Sequence, residues 1–127
     1  MKILIVDDEL ANAGLMGALL KNLLREPEPT IVIAHSQFEA LIEIRREKFE
    51  LVFCDYNLNP GWGTDILRAV AEKLPQCKTV LMSGMDAVEA REKLKEMRLR
   101  ASFIEKPFTM PRLAGLLSQL GVSVANP

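Results

Sequence analysis

The chain has 127 residues, room for one compact domain and none to spare for a second of ordinary size. Apolar residues make up 49% of it and charged residues 26%, a balance that excludes a disordered chain. Sixteen Lys and Arg against seventeen Asp and Glu leave a net charge of -1, so no global field draws it to nucleic acid or to an anionic membrane.

The first apolar run, Ile3 to Val6, predicts a strand and meets Asp7, Asp8 and Glu9 at once. It is too short for a signal-peptide core, and no later run approaches a membrane span, so a cytoplasmic protein is expected. Met16, Leu19, Leu20, Leu23 and Leu24 recur at helical spacing, and Pro27 and Pro29 close that helix. A second strand, Ile31 to Ala34, leads past the lone His35, read as a loop residue, into a helix whose apolar positions are Phe38, Leu41 and Ile42. The third run, Leu51 to Cys54, delivers Asp55 and Asn57. Pro60, Gly61 and Gly63 then break the chain before a helix carrying Ile66, Leu67, Val70, Ala71 and Leu74, which Pro75 ends. Val80 to Met82 is a fourth strand, followed by Ser83 and Gly84 and by a narrower stripe of Ala87, Ala90, Leu94 and Met97. The short fifth strand, Phe103 and Ile104, ends at Glu105, Lys106 and Pro107; Thr109 is placed to cap a last helix through Leu113, Leu116, Leu117 and Leu120. Cys54 and Cys77 lie in or beside apolar runs without CxxC spacing and read as reduced, buried thiols.

Strand then helix, five times over, with continuous rather than alternating strands, predicts an α/β fold around a parallel sheet covered on both faces. Ligands of such sheets bind outside the carboxyl ends of the strands. If those ends converge, Asp7, Asp8, Asp55, Ser83 and Lys106 share one pocket. Three carboxylates against one ammonium leave roughly -2 in a small volume, which calls for a cation. Oxygen donors without a His or Cys cluster suit Mg²⁺ better than zinc. The same set suits phosphoryl transfer, with Asp55 as the nucleophile that forms an acyl phosphate. Asp7 and Asp8 would hold the metal, and Ser83 and Lys106 would bind phosphoryl oxygens.

Four segments, in order, carry a resemblance: Ile3-Leu4-Ile5-Val6-Asp7-Asp8-Glu9, Val52-Phe53-Cys54-Asp55-Tyr56-Asn57-Leu58, Leu81-Met82-Ser83-Gly84 and Phe103-Ile104-Glu105-Lys106-Pro107-Phe108. Over nearly its whole length the chain resembles the response-regulator receiver domains of the CheY-like family. The resemblance implies a flavodoxin-like, doubly wound sheet of five parallel strands in the order 2-1-3-4-5 with five helices. It implies that Asp55 is the phosphoacceptor, Asp8 a direct metal ligand, Asp7 a metal-site acid acting partly through water, and Asn57 a ligand through its backbone carbonyl. Ser83 and Phe103 resemble the family's switch pair, and Lys106-Pro107 a peptide bond that is cis in the family. Such a domain takes its phosphoryl group from a phosphohistidine on a histidine kinase or phosphotransfer protein and catalyses only its own phosphorylation and dephosphorylation. It would then switch a surface formed by the fourth helix, fifth strand and fifth helix toward a downstream protein. Nucleic acid and membrane are not expected partners. On this reading residues 1–121 are the receiver domain and 122–127 a short tail, with no output domain.

Two departures stand out. Asn59, not proline, lies four positions after Asp55, with Pro60 next, which leaves the path from Asn57 to Gly63 open; and Met85 lies two positions past Ser83, where many relatives carry a polar residue that helps orient a hydrolytic water. The second predicts slow loss of the phosphoryl group. Plainer readings exist for single residues: Asp7 and Asp8 as acids favouring a helix dipole, Phe103 as core, Met82 and Met97 as core filler. The excess of basic residues from Arg91 to Arg112 suits either a solvated face or a signalling surface, and Trp62 suits either a partner contact or a loop cover. The alternative function is a binding module that keeps the fold without phosphorylation, although no acid, serine or lysine is missing. An aspartate phosphohydrolase would want Asp-x-Asp after the first strand. A dinucleotide enzyme would want a GxGxxG turn, which Gly14 and Gly17 do not form.

Overall fold

The computed structural model of the chain describes residues 1–25 and 27–125. In chain order the elements are β1 (Lys2–Val6), α1 (Leu10–Leu23), β2 (Thr30–Ala34), α2 (Gln37–Arg46), β3 (Leu51–Asp55), α3 (Gly63–Lys73), β4 (Lys78–Ser83), α4 (Ala87–Glu96), β5 (Ser102–Glu105) and α5 (Met110–Gln119). The five strands pair in parallel in the order β2-β1-β3-β4-β5, the doubly wound flavodoxin-like arrangement.

The continuous apolar runs have a direct physical cause. Side chains alternate across a strand, and here both faces are covered. Ile3, Ile5, Leu51, Phe53, Val80 and Met82 point into one core with Met16 and Leu20 of α1 and Leu113 and Leu117 of α5. Leu4, Val6, Val52, Cys54 and Leu81 point into the other, with Ala40 and Ile44 of α2, Ile66 and Val70 of α3 and Ala90 of α4. Each of these large apolar side chains contributes about 1.5–3 kcal/mol by leaving water. The outer strand β2 has no neighbour on its far side, and Thr30 and Ile33 are exposed there.

One helix differs from the expectation. Phe38 and Ile42 are exposed, and α2 instead buries Ala40 and Ile44, one turn apart, against β1 and β3. Residues two positions from Ala40 lie about 200° around a helix, so both large side chains are turned outward. Ser36 starts this helix: its Oγ accepts from Glu39 N at 3.1 Å, while Glu39 Oε2 accepts from His35 N at 2.7 Å. Thr109 caps α5 by accepting from Arg112 N at 3.3 Å. Cys54 is buried, whereas Cys77 is only partly so, and both are free thiols.

Within residues 122–125, Val122 is buried and Ala125 N donates to Leu23 O at 2.7 Å, so this segment lies along the end of α1. Asn126 and Pro127 of the segment read as a tail lie outside the described residues. Among the described residues no helix is long and apolar enough to cross a membrane.

Candidate functional site

Adjacent parallel strands open their carboxyl ends on the same side, and β1 beside β3 therefore sets Asp7 and Asp8 next to Asp55. One carboxylate oxygen from each of the three lies within 4.8 Å of the others. Lys106, just past β5, reaches across the end of β4. Its Nζ sits 3.1 Å from Asp55 Oδ1 and 3.3 Å from Asp7 Oδ2. Asp7 is buried, Asp55 is mostly buried and Asp8 faces solvent, so the cluster opens at one mouth. Asp7 is further fixed by Oδ1, which accepts from Glu9 N at 3.0 Å.

Burial pushes the Asp55 carboxyl up to about 6; Lys106 opposes that shift, and Asp7 and Asp8 add to it by like-charge repulsion. For Lys106 burial works against the charge, yet Asp55 and Asp7 outweigh it and hold the ammonium above its ordinary value. Cys54, buried and then pressed by Asp55 and Asp7, has its thiol pushed well above the usual range, which leaves it inert. The pocket therefore holds more negative charge than one lysine neutralises, on oxygen donors alone. That donor set fits a magnesium ion.

The loop from β3 to α3 is closely braced. Leu58 N donates to Gly61 O at 3.2 Å and Gly63 N to Tyr56 O at 2.7 Å, a turn that accommodates the cis Asn59–Pro60 bond and positive φ at Asn59 and Gly61. Among the described residues the Asn57 carbonyl accepts no hydrogen bond. The Trp62 ring lies 5.0 Å from that of Tyr56, covering the loop with one side still in solvent. Gly63 is required where it stands: a Cβ there would meet Asp55 O at 2.1 Å.

Ser83 ends β4 fully inside the protein. Its hydroxyl donates to Asp86, and its carbonyl accepts from Lys106 N at 2.7 Å. Phe103 is partly buried against the α2–α3–α4 core, with the Arg91 guanidinium 4.4 Å above its ring. The Lys106–Pro107 peptide is cis. Seven of the eight residues singled out from the sequence, Asp7, Asp8, Asp55, Asn57, Ser83, Lys106 and Pro107, thus lie at the carboxyl edge of β1, β3, β4 and β5, and Phe103 lies within β5 two residues before its end, but Ser83 points to Asp86 rather than to Asp55. Sequence reasoning passed over Asp86 and Tyr56. Asp86 carried the signal of an aspartate before a helical stripe. Tyr56 carried none, because nothing in its neighbours reveals that burial, then Glu89 and Asp86, push its hydroxyl up to about 12.

Residues 3–118 match the family model of the response regulator receiver domain. The chain belongs to that family. Receiver domains are signalling modules rather than conventional enzymes; they work with histidine kinases in two-component systems and bind Mg²⁺ at an acidic cluster such as the one formed here by Asp7, Asp8 and Asp55. Among curated proteins the chain is 29% identical over 118 residues to the transcriptional regulatory protein ZraR of Salmonella typhimurium, covering 92% of this chain and 25% of that one. The receiver domain described here thus spans about a quarter of the length of the curated relatives it matches. Among solved structures it is similar to a CheY-like receiver domain protein from Methanospirillum hungatei, with a TM-score of 0.79 and 25% identity over 94% of this chain and 91% of the other. It is also similar to NtrX from Brucella abortus, with a TM-score of 0.78 and 28% identity over 93% of this chain and 26% of that one.

Proposed function

We propose that this receiver domain accepts a phosphoryl group on Asp55 from a phosphohistidine of a histidine kinase or phosphotransfer protein. An Asp55 carboxylate oxygen attacks phosphorus in line as the phosphorus–nitrogen bond breaks; the electron pair stays on the imidazole nitrogen, which takes a proton from water. Asp7, Asp8, Asp55 and the Asn57 carbonyl would hold magnesium, which when bound supplies positive charge to the phosphoryl oxygens. Lys106 pairs with a phosphoryl oxygen, moving from its present contact at 3.1 Å with Asp55. Ser83 donates to another, and Phe103 turns inward behind it. The observation that carries the reading is one ammonium bridging two members of a three-carboxylate cluster at the mouth of a parallel sheet.

The output side is the face of α4, β5 and α5. A cleft of about 310 Å³ is lined there by Arg91, Phe103, Glu105, Arg112 and Leu116, and its two arginines against one glutamate suit an acidic segment of a partner protein. Moving a two-state surface from mostly off to mostly on takes about 5.5 kcal/mol of differential interaction, part of which charge-assisted bonds to Ser83 and Lys106 supply. Intact mass after incubation with a small phosphodonor and Mg²⁺ tests the proposal. A single Mg²⁺-dependent adduct is expected on the wild type and none on Asp55→Asn. A wild type without an adduct would favour a phosphorylation-independent binding module.

A further inference from the structure

We infer that Asp86 is a positioning residue that holds the Ser83 hydroxyl away from the acidic pocket, and that its release is what loosens the start of α4. The inference rests on the reading of Asp55 as phosphoacceptor. Asp86 occupies the N-cap of α4, where an aspartate ordinarily accepts a hydrogen bond from a free amide of the first helical turn. It makes no such bond. Its carboxylate instead accepts the Ser83 hydroxyl, and a serine has only one proton to give. Ser83, buried at the end of β4, therefore cannot serve Asp86 and a phosphoryl oxygen on Asp55 at once.

When Ser83 turns to the phosphoryl group, Asp86 loses its donor and faces a new like charge. The amides of Val88 and Glu89, one turn into the helix, then become available to it as cap donors. Two acceptors compete for one proton and two sets of donors for one carboxylate, so the β4–α4 junction is a two-state element. Its backbone anchors sit at its two ends, where Lys106 N donates to Ser83 O at 2.7 Å and Ala90 N to Asp86 O at 2.9 Å. Ala87 N donates to Gly84 O at 3.1 Å, while Met85 lies wholly in solvent and Val88 largely so.

Amide hydrogen exchange over residues 84–90 of the full chain tests this without phosphorylation. Asp86→Ala and Ser83→Ala should each speed exchange there about fivefold, and the double variant no further, because the two share one bond. Asp86→Asn, which keeps an acceptor oxygen, should exchange like the wild type. Additive effects of the two single variants, or unchanged exchange in Asp86→Ala, overturn the inference. In the phosphorylated state Asp86→Ala should lengthen the acyl-phosphate half-life about threefold by freeing Ser83, whereas Ser83→Ala should shorten it; a shorter half-life in Asp86→Ala also overturns it. An adduct on the wild type with unchanged exchange sinks the latch alone. No adduct, with the exchange pattern as expected, sinks the Asp55 reading and leaves only a structural hydrogen bond.

Discussion

Two loops flank the acidic pocket, and they are built to opposite ends. The one after β3 is held by two backbone hydrogen bonds across the turn, a buried Leu58, an aromatic pair and a glycine pressed against the Asp55 carbonyl. The one after β4 has one turn bond from Ala87 N to Gly84 O, one side-chain bond from Ser83 to Asp86, a bond from Lys106 N to the Ser83 carbonyl at its start, and Met85 wholly out in water. On the proposed function, a carboxylate that meets phosphorus in line gains from a rigid support, since small misplacements are costly to the reaction. A hydroxyl that must change partners gains from a loose one.

The largest effect expected on this contrast comes from Gly63→Ala. Its Cβ cannot be accommodated 2.1 Å from the Asp55 carbonyl, so the loop must shift. Urea unfolding should show a loss of about 3 kcal/mol or more, together with poor phosphoryl acceptance in an intact-mass assay. A stable Gly63→Ala protein that is phosphorylated normally would mean that the β3 loop is not rigid.

Asp55→Asn should act in the other direction. Folding raises this carboxyl from 3.8 to about 6, so the ionised form is disfavoured in the folded state and costs stability. That cost is complete above pH 6, shrinks as pH falls through the folded value and vanishes below the unfolded one. Asp55→Asn should therefore be more stable than wild type by about 1–2 kcal/mol at neutral pH without magnesium, allowing for screening at the open mouth. The advantage should disappear near pH 4, and added Mg²⁺ should stabilise the wild type more than the variant. An advantage that grew on acidification would contradict the assignment of burial as the cause.

Two smaller changes probe the looser loop. Met85 is fully exposed beside the site and carries no group to orient water, so Met85→Glu should speed loss of the phosphoryl group several-fold in a timed mass assay. An unchanged or slower rate would count against Met85 as the cause of a long-lived phosphoryl state. Gly84→Ala should do least. The nearest atoms to its Cβ are 3.8 Å away on Lys106, an ordinary contact, and the change in unfolding free energy should stay within about 0.5 kcal/mol. A Gly84→Ala penalty comparable to that of Gly63→Ala would erase the difference between the loops.

Particular residues show how far the amino-acid order could be read. Ile3 to Val6 and Leu51 to Cys54 announced buried strands because both faces of a central parallel strand are apolar. The same logic failed at α2, where Phe38 is exposed and Ala40 buried: periodicity marks a stripe, but when small and large residues alternate it does not say which one meets the sheet. The acids and the lysine of the site were legible because each follows an apolar run directly. Asp86 was not, since an aspartate before a helix reads as a cap, and only its contact with Ser83 shows otherwise.

Local order along the chain thus determined the element sequence, the parallel sheet and the charged residues at its carboxyl edge, because short apolar runs and helical stripes are properties of neighbours. Tertiary structure alone decided that Lys106 bridges Asp7 and Asp55, that Ser83 is turned to Asp86, and that one flanking loop is braced while the other is not. Those are contacts between strands far apart in the chain, or choices among competing partners for one proton, and such choices are settled by distance and burial rather than by residue type.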